Sequence, residues 1–239
     1  MLRLCCSLLA LSACSLIAPT HTREEEPSEG HSPAWNDGSY DPFDDAAYRS
    51  LQRATIDPEH LNTDALSAAL FVETNAARRR EGMPALKFEP HCRVAAQRYC
   101  DDMVRLNFYD AQHGHPDAAL ATPKLRMDAA GLKGATAWGE NIAVSFGIRY
   151  KSGDSFYEPA APGQPFLDLN NQPIPPHTYQ SFAVAVVDQW MRSPHHRANI
   201  LDRDFTHFGA ACAAFREKDG FPKLKCSQDF MRLGFPPAN

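Results

Sequence analysis

Basic charge is scarce in this sequence. Its 239 residues carry 24 Lys and Arg against 29 Asp and Glu, a formal net charge of −5. The isoelectric point is near 6.0, so the chain has no basic footprint for nucleic acid. The compact basic run Arg78-Arg79-Arg80 falls on a predicted helix, where a solvated face is the expected role. Long apolar runs are lacking as well: residues 4–11 are apolar but too few to span a bilayer. Familiar catalytic signatures are also missing. There is no His-Glu-x-x-His helix, no Gly-x-Ser-x-Gly elbow and no phosphate loop. Gly153-Asp154-Ser155 sits in an irregular stretch with no strand before it. No nucleophile–base pair is apparent along the chain, which points away from an enzyme.

What is present begins with a leader. Met1-Leu2-Arg3 is a minimal positive start, and the apolar segment after it ends in Leu11-Ser12-Ala13-Cys14, which resembles a bacterial lipoprotein cleavage box. The resemblance implies that residues 1–13 are removed and that Cys14 carries lipid; an ordinary secretory signal with a chance cysteine is the alternative. Two or three acyl chains hold far better than one, since each buried methylene adds about 0.8 kcal/mol. Ser15 rather than aspartate follows, as in lipoproteins sent to the outer membrane. The expected location is the bacterial envelope, facing the periplasm or the outside, with the membrane as one partner and the protein itself monomeric. Residues 14–60, with Glu24-Glu25-Glu26, Pro27, Gly30 and Pro33, have no apolar period and read as a flexible tether.

Seven cysteines are present, and four remain beyond the leader and Cys14. Cys92 and Cys100 lie eight residues apart on one predicted helix, about 12 Å along its axis. Bridged Cα atoms lie within roughly 7 Å, so these two are expected buried and reduced. Cys212 and Cys226 flank the turn signal Lys218-Asp219-Gly220 at equal distances, and a bridge across a hairpin is expected.

Residues 61–235 read as a single domain. The periodicity predicts helices over 64–81 (capped by Asp64), from Glu89-Pro90 onward, over 123–130 and over 179–192. Strands are expected over 208–215 and 222–231. Residues 145–177 hold nine Pro and Gly and no helical period, an insertion long enough to be a functional lid or a disordered appendage. The helix over 179–192 carries Val184, Val187 and Trp190-Met191 on roughly one face and stops at Ser193-Pro194. His195, His196 and Arg197 then follow a rigid corner ahead of an apolar strand, a placement typical of a cleft wall.

Five motifs occur in order: Asn75-Ala76-Ala77-Arg78, Met83-Pro84-Ala85-Leu86, Gly139-Glu140-Asn141-Ile142-Ala143, Trp190-Met191-Arg192-Ser193-Pro194-His195-His196-Arg197-Ala198-Asn199-Ile200-Leu201 and Phe208-Gly209. Together they resemble the bacterial branch of the CAP superfamily, the SCP domain, over roughly residues 66–233. The resemblance implies an α+β fold: a three-layer α-β-α sandwich with a small antiparallel sheet between helices, and one cleft holding two histidines and two glutamates. Glu140 matches one glutamate and His196 one histidine. His115, ahead of Pro123 and Arg126, fits the other histidine's spacing better than His113. Ser193 stands where the second glutamate is expected, so the tetrad is incomplete.

The expected cleft residues are therefore His115, Glu140, Ser193, His195, His196 and Asn199. His115 and His196 are the candidate ligands for Zn²⁺, with His113, His195 and His207 as substitutes. Two functions follow. One is a lipid-anchored module that binds an envelope ligand (lipid, glycan or peptide) in this cleft. The other is a zinc-dependent hydrolase in which His115 and His196 hold the metal and Glu140 is the general base. Beside both stands a purely structural reading, in which Glu140 accepts hydrogen bonds from backbone amides or from Asn199.

Overall fold

The computed structural model describes residues 53–159, 161, 164–216 and 220–234; the leader, Cys14 and most of the tether lie outside them. The described residues fall into two compact units. One is Tyr150–Ile174; the other runs up to Arg149 and resumes at Pro175.

The larger unit is built from five helices and four strands among the described residues. Helix α1, Thr63–Arg80, starts at Asn62, whose side chain accepts the Ala65 N–H at 2.9 Å. The expected cap, Asp64, sits inside the first turn and pairs with Arg93 instead. Helix α2, Pro90–Arg105, is capped by Glu89 and opens on proline, which lacks an N–H that would go unused there. Helix α3, Pro123–Ala129, is capped by Thr122. Helix α4, Tyr179–Arg192, begins with a reciprocal capping box between Thr178 and Ser181. Helix α5, Pro194–Leu201, follows without a gap, so the corner at Ser193-Pro194 leads into a second helix and not directly to a strand.

Strands β1 (Lys87–Phe88), β2 (Ala135–Phe146), β3 (His207–Arg216) and β4 (Pro222–Leu233) form one sheet in the order β1-β3-β4-β2. It is antiparallel apart from the two-residue β1, which runs parallel to β3. Alternate residues divide between two faces. Phe208, Ala210, Cys212, Leu224, Cys226 and Phe230 pack with Leu66, Leu70, Phe182, Val186 and Trp190 of α1 and α4. On the other face Met231 packs with Cys92, Ala95 and Met127, and Ile142 and Ala213 pack with Tyr99, Cys100 and Met103. The result is an α-β-α sandwich. Cys212 and Cys226 stand opposite each other in register and are bridged, while Cys92 and Cys100 are free and buried.

Several sequence expectations change in detail. Val184 is exposed; the buried stripe of α4 is Phe182, Ala183, Val186, Val187 and Trp190. Arg78 is fully buried rather than solvated: its guanidinium donates to the carbonyls of Pro84, Ile200 and Asp202, tying α1 to the end of α5. Within the stretch read as tether, Ile56 is buried and Thr55 bridges to Thr178. Gly209 is required by close approach: a Cβ there would lie 2.2 Å from the Arg93 backbone nitrogen of α2.

Among its described residues the smaller unit has no helix. Tyr157 and Leu167 pair, Leu167 also bridges to Pro173, and Phe156 meets Phe166 edge-on at 5.8 Å, both rings being buried.

Candidate functional site

Edge strand β2 sends consecutive residues of the Gly-Glu-Asn motif to opposite faces. Glu140 points toward α2 and α3, and Asn141 toward α5. Gly139 has no room for a side chain, since a Cβ would stand 2.8 Å from Phe205 and 3.3 Å from Asn199 Oδ1.

The Glu140 carboxylate is almost wholly buried. Both its oxygens accept from Arg126 Nη2, at 2.8 and 2.7 Å, and Oε1 also accepts from His113 Nδ1 at 2.7 Å. Charge-assisted bonds of this kind are about twice as strong as neutral ones. Arg126 is itself fixed: it donates to the carbonyls of Leu120 and His113, and its guanidinium lies 3.7 Å over the Tyr99 ring. A carboxylate only accepts, so Nδ1 of His113 is the donor; in the uncharged ring Nε2 is then left as an acceptor.

His113 occupies left-handed backbone space, φ 63°, which costs a non-glycine residue about 1–2 kcal/mol. The loop around it compensates. His113 N–H reaches the Asp110 carbonyl at 2.9 Å, and the Gly114 carbonyl accepts the Tyr99 hydroxyl at 2.8 Å. Strain held by surrounding bonds in this way is common where a side chain must be aimed.

His115 goes elsewhere, and this corrects the expected pairing. Its Nε2 lies 3.2 Å from Asp102, its Nδ1 accepts the Asp117 N–H, and its ring packs edge-on against Phe108. With a side chain 2% exposed, it is a satisfied core histidine. The structure therefore brings His113, not His115, to Glu140. Spacing to Pro123 and Arg126 did not separate two histidines one residue apart. What separates them is the left-handed turn at the first.

Helix α5 docks on the backbone of β2. Asn199 donates to the Glu140 carbonyl at 3.1 Å and to Asn141 Oδ1 at 2.9 Å, and Asn141 donates to the His196 carbonyl at 3.0 Å. Asn199 thus holds the strand through its main chain and leaves the Glu140 carboxylate to Arg126. His196 is half-buried, and burial is the main reason its pKa falls below the ordinary imidazole value; the neighbouring charges of His113 and His195 add to the effect. Three imidazoles are thereby neighbours at this edge of the sheet. His195 is exposed, and Ser193 is half-buried as the shared cap residue of α4 and α5. His207 stands two strands away from β2, hydrogen-bonded to Thr206, and takes no part.

Asp229 was not legible as a site residue. It sits directly across from Glu140 in the β2–β4 register and has no exposure. Ser227 donates to its Oδ1 at 3.2 Å, and Oδ2 has no hydrogen-bond partner. Burial first, and the Glu140 charge second, push its carboxyl well above the usual carboxylate range. Behind Arg126, a cavity of about 240 Å³ between α2 and α3 is lined by Arg98, Tyr99, Asp102 and Leu120.

The donor set does not suit a zinc ion. Glu140 is fully engaged by Arg126 and His113, His115 is turned into the core, and among the described residues no three His, Cys, Asp or Glu side chains gather in a metal-holding arrangement.

An α-β-α sandwich with an imidazole-rich edge over a buried Arg–Glu pair is the class that fold and site define. The family model described as "CAP: Cysteine-rich secretory protein family" matches residues 72–230, and the chain belongs to that family. It is 27% identical over 162 residues to "Uncharacterized protein YkwD" of Bacillus subtilis (strain 168), an alignment covering 65% of this chain and 48% of that protein. The chain thus spans about half the length of that curated relative. Among solved structures it is similar to an extracellular protein containing a SCP domain from Bacillus anthracis, with 21% identity, TM-score 0.45, and 75% of this chain and 45% of that one covered. It is also similar to an outer surface protein from Borrelia burgdorferi, with 13% identity, TM-score 0.46, and coverage of 76% and 98%.

Proposed function

We propose that this CAP-domain protein is an extracytoplasmic binding module, anchored to the bacterial envelope through lipid on Cys14, that takes an envelope lipid, glycan or peptide at the edge of β2. His113, His195 and His196 supply the polar contacts. The observation that carries this reading is the engagement of Glu140. A carboxylate bound by a buried guanidinium and by His113 is available neither as a general base nor as a metal ligand. The Cys212–Cys226 bridge agrees with an oxidising compartment.

The test uses the full mature chain. Zinc titrated calorimetrically into the wild type and into His196→Ala is expected to give no stoichiometric binding in either. Stoichiometric zinc in the wild type, lost together with peptide or ester hydrolysis in His196→Ala, would restore the hydrolase. Palmitate labelling that survives Cys14→Ser would overturn the anchor.

A further inference from the structure

We propose that Asp229 is held as a neutral carboxylic acid whose Oδ2 hydroxyl donates to Glu140, making it the positioning residue beneath the Arg126–Glu140–His113 cluster. This goes beyond the binding reading and stands whatever the ligand proves to be.

The geometry leads to one protonation state. Asp229 and Glu140 are cross-strand partners on the same face, both buried, and their carboxyls are within hydrogen-bond reach. Two bare carboxylates so placed would repel, and each would lack a donor the other could use. The Glu140 oxygens already accept three charge-assisted hydrogen bonds, two from Arg126 Nη2 and one from His113 Nδ1, so Glu140 is the one that keeps its charge. Asp229 has a single hydroxyl donor, Ser227, and an Oδ2 that as an anion would be buried and unpaired. A proton on Oδ2 turns that orphan acceptor into a donor and satisfies both residues at once.

The other groups facing Asp229 do not change this. From α3 comes Arg126, which favours the anion but directs Nη1 and Nη2 to Glu140 and to carbonyls; its Nε is buried with no partner and makes no bond to Asp229. From α2 come the buried thiols of Cys92 and Cys100, whose own ionisation is disfavoured first by burial, so they bring no charge. The proton leaves one negative charge on the carboxyl pair. Arg126 balances it, and Nδ1 of His113 meets one carboxylate charge rather than two.

The linkage has a definite sign. A carboxyl whose folded pKa is raised gives stability that is present below its unfolded value and is lost as pH rises toward the folded value. Asn at this position copies the neutral acid, donating through its amide and accepting from Ser227, without a proton to lose. The experiment has two readouts. Infrared spectra of the full mature chain, with aspartate ¹³C-labelled at the side-chain carboxyl, are expected to show at neutral pH one neutral-acid carbonyl band that shifts with the label and is absent in Asp229→Asn. Thermal unfolding followed from acid to alkaline pH is expected to show the wild type losing stability relative to Asp229→Asn as pH rises. Absence of the labelled acid band in the wild type overturns the proposal, as does a stability difference that is the same at every pH. If Asp229→Asn does not fold, the labelled wild-type band decides alone.

Discussion

The two faces of the β2–β4 pair solve the same problem by different chemistry. Toward α1 and α5, a buried chain of amides ending on a hydroxyl crosses the pair. Asn199 donates to Asn141, Asn141 to Gln228, and Gln228 to Thr74 at 2.6 Å. Toward α2 and α3, one residue out of phase along the same strands, the buried polar groups are ionisable: Glu140, Asp229, Arg126 and Lys225, whose ammonium reaches the carbonyls of Met103 and Phe108. Nothing in the amide chain changes charge with pH. The ionic face holds its charges only while each partner is in place. The neutral chain therefore fixes where α5 sits, and the ionic cluster sets what His113 presents.

The largest expected effect breaks the ionic face. Arg126→Met leaves Glu140 buried without its guanidinium and beside a second carboxyl. Breaking one side of a buried pair costs about 3–5 kcal/mol, which a urea midpoint at unchanged slope would report. A loss below about 1 kcal/mol, the range of exposed pairs, would mean that the cluster is not buried in the working protein.

Asn141→Leu tests the neutral face. It strands the Gln228 and Asn199 side chains and the His196 carbonyl, and buried groups left unpaired cost about 1–3 kcal/mol. The distinguishing feature is pH: this loss is expected to be equal in acid and at neutrality. A loss that varied with pH would show the two faces to be coupled through the strands.

The difference between the faces also explains what could be read beforehand. Apolar periodicity placed α2, α4 and both hairpin strands, because burial of residues such as Tyr99, Trp190 and Phe230 is written into their spacing. The Cys212–Cys226 bridge followed from symmetry about a turn. Glu140 and His196 could be picked out because their motifs are local. Arg78 was misread as surface, although it continues the four-residue stripe of Leu66, Leu70 and Thr74 on α1; a charged run masks the period when its first member is the buried one. Asp229 and the choice between His113 and His115 depend on pairing between distant segments and on one left-handed residue, and neither leaves a pattern along the chain.

The smallest effect concerns the junction where the chain re-enters the larger unit. His177 accepts the Ile56 N–H through its carbonyl at 2.8 Å, its Nδ1 meets Ser181 Oγ at 2.9 Å, and its ring lies edge-on to Phe182. Burial, with a smaller contribution from the Arg149 charge, lowers its pKa to about 4. A histidine depressed in this way gives stability that is complete above the unfolded value of 6.5 and is lost as pH falls toward 4. The ring is partly exposed, so solvent screening leaves an effect of about 1 kcal/mol. His177→Gln keeps a polar contact to Ser181 without the titration, and is expected to flatten the acid limb of a thermal-stability profile between those two values. An unchanged acid limb would assign the acid sensitivity to another imidazole, and His196 of α5, also depressed by burial, is the next group to vary.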